Sequence, residues 1–491
     1  MTKWLSLSIG PDIDHDAEVV FACGEGELIG ASARIERAEE ACRAARFEAL
    51  PGSWLDVIGG AEEARIVIVS VEASQAPRDR WLAAGGRLVD AMRALRISAI
   101  RLPKGELFGD PSAIKWVFLG ALLHSYRLHQ ERAVVDGAFR PTSLVIAGDD
   151  QAAADEAIRV ATAINRARAW TEQPANLLTP AVFAQEAASA LERYGVTVTT
   201  LGAAELEQIG MGGLLAVGCS SEHEPKLVVA EWRGASERTG WDAALVGKGV
   251  TFDGGGLNIK TRPIIEKMKF DMGGAAAVLG ALELAASRKA PVNVVAVVPM
   301  AENVIDGRAM RPGDVIRMMS GLTVEIGNTD AEGRLLLADG VTYAINHYHP
   351  RNVVDVATLT GMITGVLHEE YAGLYASDDG LADTLVHAGN ATSELLWRMP
   401  LVAAQDYLVE SSVADLANVG ASGFLGLGYG SPAAGAKFIE RFARGTAWAH
   451  IDIAGTAWAT RRTPRSQPGA TGYGVALLDA WLDELGTRHA D

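Results

Sequence analysis

"VNVVAVVPM", residues 292–300, carries valine at five of its nine positions and no charge. An apolar run without polar alternation has no face to offer water, so it predicts a strand buried on both sides of a sheet. "AALVGKGV" (243–250) and "NVVDVATL" (352–359) read the same way, and helical patterns intervene at 273–287 and 334–347. The stretch "AAAVLGALELAA" (275–286) is apolar all round and reads as a buried helix. Strands alternating with helices predict an α/β fold with a mostly buried sheet, in which reactive groups collect on loops beyond the strand ends; the sheet is expected to be mixed.

The same alternation holds upstream. "RIVIVSVE" (65–72) and "SLVIAGDD" (143–150) are strand-like, while "GRLVDAMRALR" (86–96) and "AIKWVFLGALLHSYRLH" (113–129) are helical. Residues 151–170 place Ala157, Val160, Ala161 and Ile164 on one helical stripe and lead into "EQPANLLTP", where Pro174 and Pro180 punctuate the chain. At 491 residues the chain exceeds one comfortable core. The expectation is a smaller N-terminal α/β domain over 1–150, a helical linker over 151–175, and a larger catalytic domain over 176–491. The loops "GASGFLGLGYGSP" (420–432) and "RRTPRSQPGATG" (461–472) have the Gly, Pro and polar content of mobile segments.

A net charge of −17 opposes binding to nucleic acid or anionic membrane, since both partners are polyanions. Cys23, Cys42 and Cys219 are scattered, so neither a disulfide framework nor a thiolate zinc site is expected. "MTKWLSLSIGPD" (1–12) is interrupted by Pro11 and Asp12 before a signal-peptide core forms, and no segment reaches the roughly 18 uninterrupted apolar residues of a membrane span. A soluble cytoplasmic protein is expected.

The chemistry sits beside the strands. "GNTDAEGRLLLADG" (327–340) puts Asp330 and Glu332 two apart and Arg334 at the start of a helix. If 328–332 is extended, both carboxylates share a face and hold one cation together. "VGKGVTFDGGGLNIK" (246–260) and "EKMKFDMGGAAAVLGAL" (266–282) add Lys248, Asp253, Lys260 and Asp271, charges set among apolar residues and glycines, where isolated charge is costly. Two carboxylates about 4 Å apart repel by ~4 kcal/mol at an effective dielectric near 20, so convergence of Asp253, Asp271, Asp330 and Glu332 requires protons or cations. Four carboxylates balance two divalent ions, the inventory of a two-metal hydrolytic site. Strict alternation would put Lys248 and Asp253 on opposite faces, so the strand must break near Gly249 or in the turn Gly254–Gly256.

Neither phosphate-loop pattern fits Gly254, Gly255 and Gly256. His347 and His349 have HxH spacing, but Pro350 follows and they read as a helix end. His450 and Asp452 in "WAHIDIAG" read as a packed strand.

With these residues assembled, the sequence resembles the leucyl aminopeptidase family of dinuclear metallopeptidases. "NTDAEGRL" (328–335) matches the family's signature, and "VGKGVTFD", "KFDMGGAAAVLG", "ATLTG" (357–361) and "WAHIDIAG" (448–455) match its other blocks in order. The resemblance covers about 165–491. It implies metal ligands Lys248, Asp253, Asp271, Asp330 and Glu332, with Asp253 and Glu332 shared between two divalent ions, zinc or manganese first and cobalt or magnesium next. It implies catalytic roles for Lys260, which polarises the scissile carbonyl, and Arg334, which holds a bicarbonate acting as general base. Met268, Thr358, Gly361, Ala454 and Ala457 would border the pocket for an apolar first side chain of a peptide with a free N-terminus, in a homohexamer. Gly254, where the family commonly has a small hydroxyl residue, and the insert "TRPIIE" (261–266) depart from its pattern. Two other classes compete: a dinuclear phosphoesterase, and a noncatalytic binding protein, which would require a missing catalytic group; none is missing.

Overall fold

The computed structural model describes residues 5–9, 14–23, 27–30, 32–59, 63–72, 76–103, 110, 112–126, 143–146, 150–420, 431–443, 445–463 and 465–488. The chain divides into two compact units, Met1–Asn165 with Thr460–Pro468, and Arg166–Ala459 with Gly469–Asp491.

In the first unit, β1 (Ser6–Ile9), β2 (Ala17–Cys23), β3 (Leu28–Ile29), β4 (Trp54–Val57), β5 (Ile66–Val71), β6 (Ile100–Leu102) and β7 (Ser143–Ile146) form a seven-stranded sheet among the described residues. Its order is β1-β7-β6-β2-β5-β4 with β3 beside β2, parallel except for β3 and β4. Helices α1 (Ser32–Ala45), α2 (Pro77–Leu95) and α3 (Ala113–Ser125) intervene. Val20 and Ala22 of β2 pack with Ile66 and Ile68 of β5 and Ala38 of α1, while Phe21 between them meets Trp81 of α2 edge-on at 5.6 Å. Successive strand residues point to opposite faces, so covering both explains the apolar run Ile66–Val69, every residue of which is buried. Of the stripe expected on helix α4 (Gln151–Glu172), Ala157, Ala161 and Ile164 are buried and Val160 is half-buried, and the division between units falls within this helix.

The second unit holds the nine-stranded sheet of the described residues. Its strands are β8 (Thr197–Leu201), β9 (Lys226–Arg233), β10 (Ala243–Gly247), β11 (Gly249–Asp253), β12 (Asn293–Asn303), β15 (Asn352–Ala357), β16 (Ala372–Ala376), β17 (Leu396–Arg398) and β19 (Ala447–Asp452). The order is β17-β16-β19-β15-β10-β12-β9-β8, with β11 continuing beside β12. The centre, from β19 to β12, is parallel, and β9, β8 and β16 run antiparallel to their inner neighbours. Strands β13 (Val315–Arg317), β14 (Thr323–Glu325) and β18 (Leu416–Ala417) form a small second sheet, and β20 (Trp458–Ala459) pairs with β21 (Gly469–Ala470).

Helices α5 (Pro180–Leu191), α6 (Ala203–Gln208), α7 (Gly212–Gly218), α8 (Gly273–Ser287), α9 (Gly333–Tyr348), α10 (Gly361–Leu367), α11 (Asp379–Thr392), α12 (Pro432–Glu440) and α13 (Val475–Arg488) complete the unit. Every residue of β12 is buried, the expected result of covering both faces. Val295 and Val297 share one core with Leu336 of α9, Val217 of α7 and Phe438 of α12. The stretch Ile265–Ser287 is long and apolar enough to cross a bilayer, and most of it is consumed by packing within this unit.

Of the two stretches with mobile composition, 421–430 lies outside the described residues. In the other, Thr463 N donates to Ser466 O at 2.9 Å and Ser466 N to Thr463 Oγ1 at 3.0 Å.

Asp339 of α9 joins the layer of helices to the small sheet. Its Oδ2 accepts Gly213 N at 2.7 Å and Leu214 N at 3.1 Å, and its Oδ1 accepts Met319 N at 2.9 Å. Burial pushes its carboxyl up to about 7 although these three donors pull it down. Asp339→Ala leaves the donors unpaired in the core, and each such group costs about 1–3 kcal/mol. A loss of about 3 kcal/mol or more is expected in urea unfolding, with Asp339→Asn losing less because it keeps one acceptor oxygen.

Candidate metal centre

The centre is assembled where the sheet's backbone is irregular. Strand β10 pairs Val246 with Val297 and β11 pairs Gly249 with Met300, so Lys248 falls opposite Pro299, which has no N–H for the ladder. The strand breaks there. Lys248 N turns to Val356 O at 3.1 Å, and its carbonyl accepts Ala275 N at 2.9 Å from the first turn of α8. A bulge between Val250 and Phe252 then inserts one residue. One extra residue reverses the facing of all that follow, which brings Asp253 to the side of Lys248. The break beside Gly249 is thus found, and the bulge at Thr251 supplies what the turn Gly254–Gly256 was expected to supply.

Asp330 and Glu332 do not lie on an extended strand. Thr329 and Asp330 form a turn, Asn328 Oδ1 accepts Asp330 N at 2.8 Å, and Glu332 already has helical angles at the head of α9. Convergence comes from the turn, not from strand periodicity. Gly255, at φ +87°, makes room for it: a Cβ there would lie 2.8 Å from Asp330 Oδ1. Gly333 does the same for Lys248, whose Nζ lies 2.7 Å from the Cβ position.

The ligand set implied by the sequence meets in one place. Asp253, Asp330 and Glu332 offer oxygens all within 4.8 Å of one another. Lys248 Nζ lies 2.7 Å from Asp271 Oδ2 and 2.8 Å from Glu332 Oε1, and Lys260 Nζ lies 2.8 Å from Asp253 Oδ2 and 2.5 Å from Asp330 Oδ1. Thr358 Oγ1 donates to Asp271 Oδ1 at 2.7 Å, and Thr358 O accepts from Lys248 Nζ at 3.2 Å.

Four carboxylates face two ammonium groups. Burial pushes Asp253 and Asp271 above the usual carboxylate range, and burial together with the charges of Asp253 and Glu332 holds Asp330 up at about 7. Burial would raise Glu332 also, but Lys248 and Lys260 hold it down at about 2. Both lysines are lifted above their ordinary range by the surrounding carboxylates in spite of burial. Asp271 Oδ2 and Asp330 Oδ1, though close to ammonium nitrogens, make no well-formed hydrogen bond among the described residues. Surplus negative charge and buried acceptor oxygens without hydrogen bonds fit divalent cations. An oxygen-rich set with one amine suits manganese, zinc, cobalt or magnesium.

Arg334 is 2 % exposed and donates from Nη1 to Asn418 O at 2.7 Å, while its Nε has no partner among the described residues. Burial pushes its pKa down to about 10, and it remains a cation at neutral pH. A buried guanidinium with a spare donor fits a small anion.

Near this centre, Thr358 and Ala457 each lie 3.5 Å from the Cβ position of Gly273. Asp452 Oδ1 accepts Leu359 N at 3.1 Å and Ala454 N at 3.2 Å, tying Ala454 to the segment after Thr358. Gly361 opens α10 with nothing within 4 Å of its Cβ position, and half-buried Met268 stands in the 3₁₀ turn that ends at Asp271. His347 Nδ1 lies 3.0 Å from Tyr343 O, and His349 caps α9 in the left-handed region, as a helix end requires. His450 Nδ1 meets Asp355 Oδ1 at 2.5 Å inside the sheet, the core role expected.

Sequence reasoning missed the asparagines. Asn303 at the end of β12 donates to Asp253 Oδ1 at 2.9 Å; Asn258 and Thr329 clasp each other, Thr329 N to Asn258 Oδ1 at 2.9 Å; Asn418 Oδ1 accepts Gly327 N at 2.7 Å. The signal that revealed Asp253, a charge set among apolar residues and glycines, is absent at neutral Asn303.

Carboxylates and lysines gathered where the strands of a buried mixed sheet end, with negative charge in excess, define a metal-dependent α/β hydrolase. The chain belongs to the cytosol aminopeptidase family, whose catalytic domain matches residues 165–479. It is 42% identical over 445 residues to a probable cytosol aminopeptidase of Caulobacter vibrioides, covering 88% of each chain. To the cytosol aminopeptidase of Rickettsia prowazekii it is 41% identical over 410 residues, 82% of this chain and 81% of that one. Among solved structures it is similar to the bottromycin maturation enzyme BotP in complex with Mn, with TM-score 0.83 and 31% identity over 96% of this chain and 99% of that chain. A variant of tomato leucine aminopeptidase gives TM-score 0.84 and 29% identity over 98% and 96%. The protein is therefore a hydrolase of the leucyl aminopeptidase type.

Proposed function

We propose that the protein is a cytoplasmic aminopeptidase that removes N-terminal, apolar amino acids from peptides at a centre holding two divalent ions. Lys248, Asp253, Asp271, Asp330 and Glu332 would hold the ions, zinc or manganese, with Asp253 and Glu332 shared. Such ions lower the pKa of the attacking water toward about 7 and polarise the carbonyl, and a bicarbonate at Arg334 adds a base for the water's proton.

The chain's own groups do the rest. Lys260 keeps its positive charge where negative charge grows on the tetrahedral oxygen. Arg334 is fixed by Asn418 O, and its spare Nε would serve to hold the base. Met268, Thr358, Gly361, Ala454 and Ala457 would border the pocket for the first side chain, and small and apolar groups there would favour an apolar first residue. Six copies enclosing their sites would complete the assembly.

The observation that carries this reading is the surplus of buried negative charge around Asp253, Asp330 and Glu332, with acceptor oxygens lacking hydrogen bonds. Dialysis against a chelator is expected to abolish hydrolysis of leucine p-nitroanilide, and Mn²⁺ or Zn²⁺ to restore it, while p-nitrophenyl phosphate stays intact throughout. Full turnover by verified metal-free protein, or cleavage of the phosphate instead, would refute the reading.

A further inference from the structure

We propose that Asn303 is a positioning residue for the metal centre, its side-chain amide fixing the spacing of Asp253 and Glu332; this rests on the function proposed above, in which those two carboxylates are shared between the ions. Asn303 is 2 % exposed and ends β12. Its Nδ2 donates to Asp253 Oδ1 at 2.9 Å and to Thr329 O at 3.0 Å, and reaches Glu332 Oε2 at 3.5 Å. All three neighbours only accept, which assigns the NH₂ side of the amide to them.

The other oxygen of each carboxylate faces a lysine: Asp253 Oδ2 meets Lys260 at 2.8 Å and Glu332 Oε1 meets Lys248 at 2.8 Å. Asn303 is therefore the neutral donor between the two acids. It holds both without cancelling the charge that the ions need, as an arginine or lysine there would. Its own position is set by backbone, since it pairs with Asp253 across β11 and β12 and its carbonyl accepts Gly254 N at 2.8 Å. Through Thr329 O the same amide ties down the turn that carries Asp330 and Glu332. One side chain thus joins the end of β11, the end of β12 and that turn.

Groups that orient metal ligands typically change metal affinity by about 10–100-fold when removed. Thr358 provides the contrast, because its hydroxyl serves Asp271, a ligand of one ion only. Calorimetric titration of Mn²⁺ into chelator-treated, full-length wild type, Asn303→Ala, Asn303→Ser and Thr358→Val decides the matter. The Asn303 variants are expected to weaken both binding steps by about 10–100-fold, and Thr358→Val to weaken one. Circular dichroism and thermal unfolding accompany each titration, and Asn303→Ser, which retains a shorter donor, stands in if the alanine variant does not fold. Folded Asn303 variants with both steps within about two-fold of wild type, or with only one step weakened, overturn the proposal; a lowered melting temperature alone would mean a structural role. Wild type that takes up no Mn²⁺ would instead refute the two-ion function itself.

Discussion

Replacing Lys260 by alanine is expected to lower kcat on leucine p-nitroanilide by about 10²–10³-fold while two divalent ions stay bound, whereas Asp330→Ala loses metal together with activity. Lys260 stands 2.8 Å from Asp253 Oδ2 and 2.5 Å from Asp330 Oδ1, a largely buried ammonium whose pKa is lifted above its ordinary range by those acids. A cation in that position contributes little to a neutral peptide carbonyl and much to the oxyanion formed from it, so its removal falls on kcat more than on KM. Asp330 differs in kind. Its carboxyl is held up at about 7 by burial and by Asp253 and Glu332, an unfavourable arrangement that cations relieve. Elemental analysis beside steady-state kinetics separates the two roles. Should Lys260→Ala by itself empty the centre, Lys260 would be a ligand and its assignment wrong.

How far these residues could be read in advance depends on the range of the interactions that place them. Lys248 and Asp253 were visible because charge inside an apolar run needs a partner nearby. Their convergence was not, since it turns on a break opposite Pro299 and a bulge at Thr251, both decided by pairing with a distant strand. An extended 328–332 would put Asp330 and Glu332 on one face; the turn that brings them together instead is held partly by Asn418, whose amide donates to Asn328 O at 2.7 Å from 90 residues away. The α/β class was legible because burial on both faces of β12 leaves a continuous apolar signature. The antiparallel strands β8, β9 and β16, added at the sheet's flanks, leave no comparable mark.

The second large effect concerns the substrate's free α-amine. Lys248 lies between Asp271 and Glu332 at 2.7 and 2.8 Å as an ammonium, and to ligate an ion it must give up its proton, an exchange that nearby cations favour. An ion held by Lys248 and Asp271, as proposed, would be suited to a second neutral amine, that of the peptide's first residue. Anchoring there would set the first peptide carbonyl between the ions and no later one, which makes the enzyme a strict exopeptidase. Acetylation converts that amine to an amide without a usable lone pair and adds bulk where the chain must end. Hydrolysis is expected to fall by about 10⁴-fold, the scale at which a site built for one polar group rejects an analogue that lacks it. The decisive measurement compares kcat/KM for leucine p-nitroanilide and its N-acetyl form on the same Mn²⁺-loaded protein at one pH: near-complete loss with the acetylated substrate is the expected result, and comparable values would contradict amine anchoring and leave a metallohydrolase with no claim to act as an aminopeptidase.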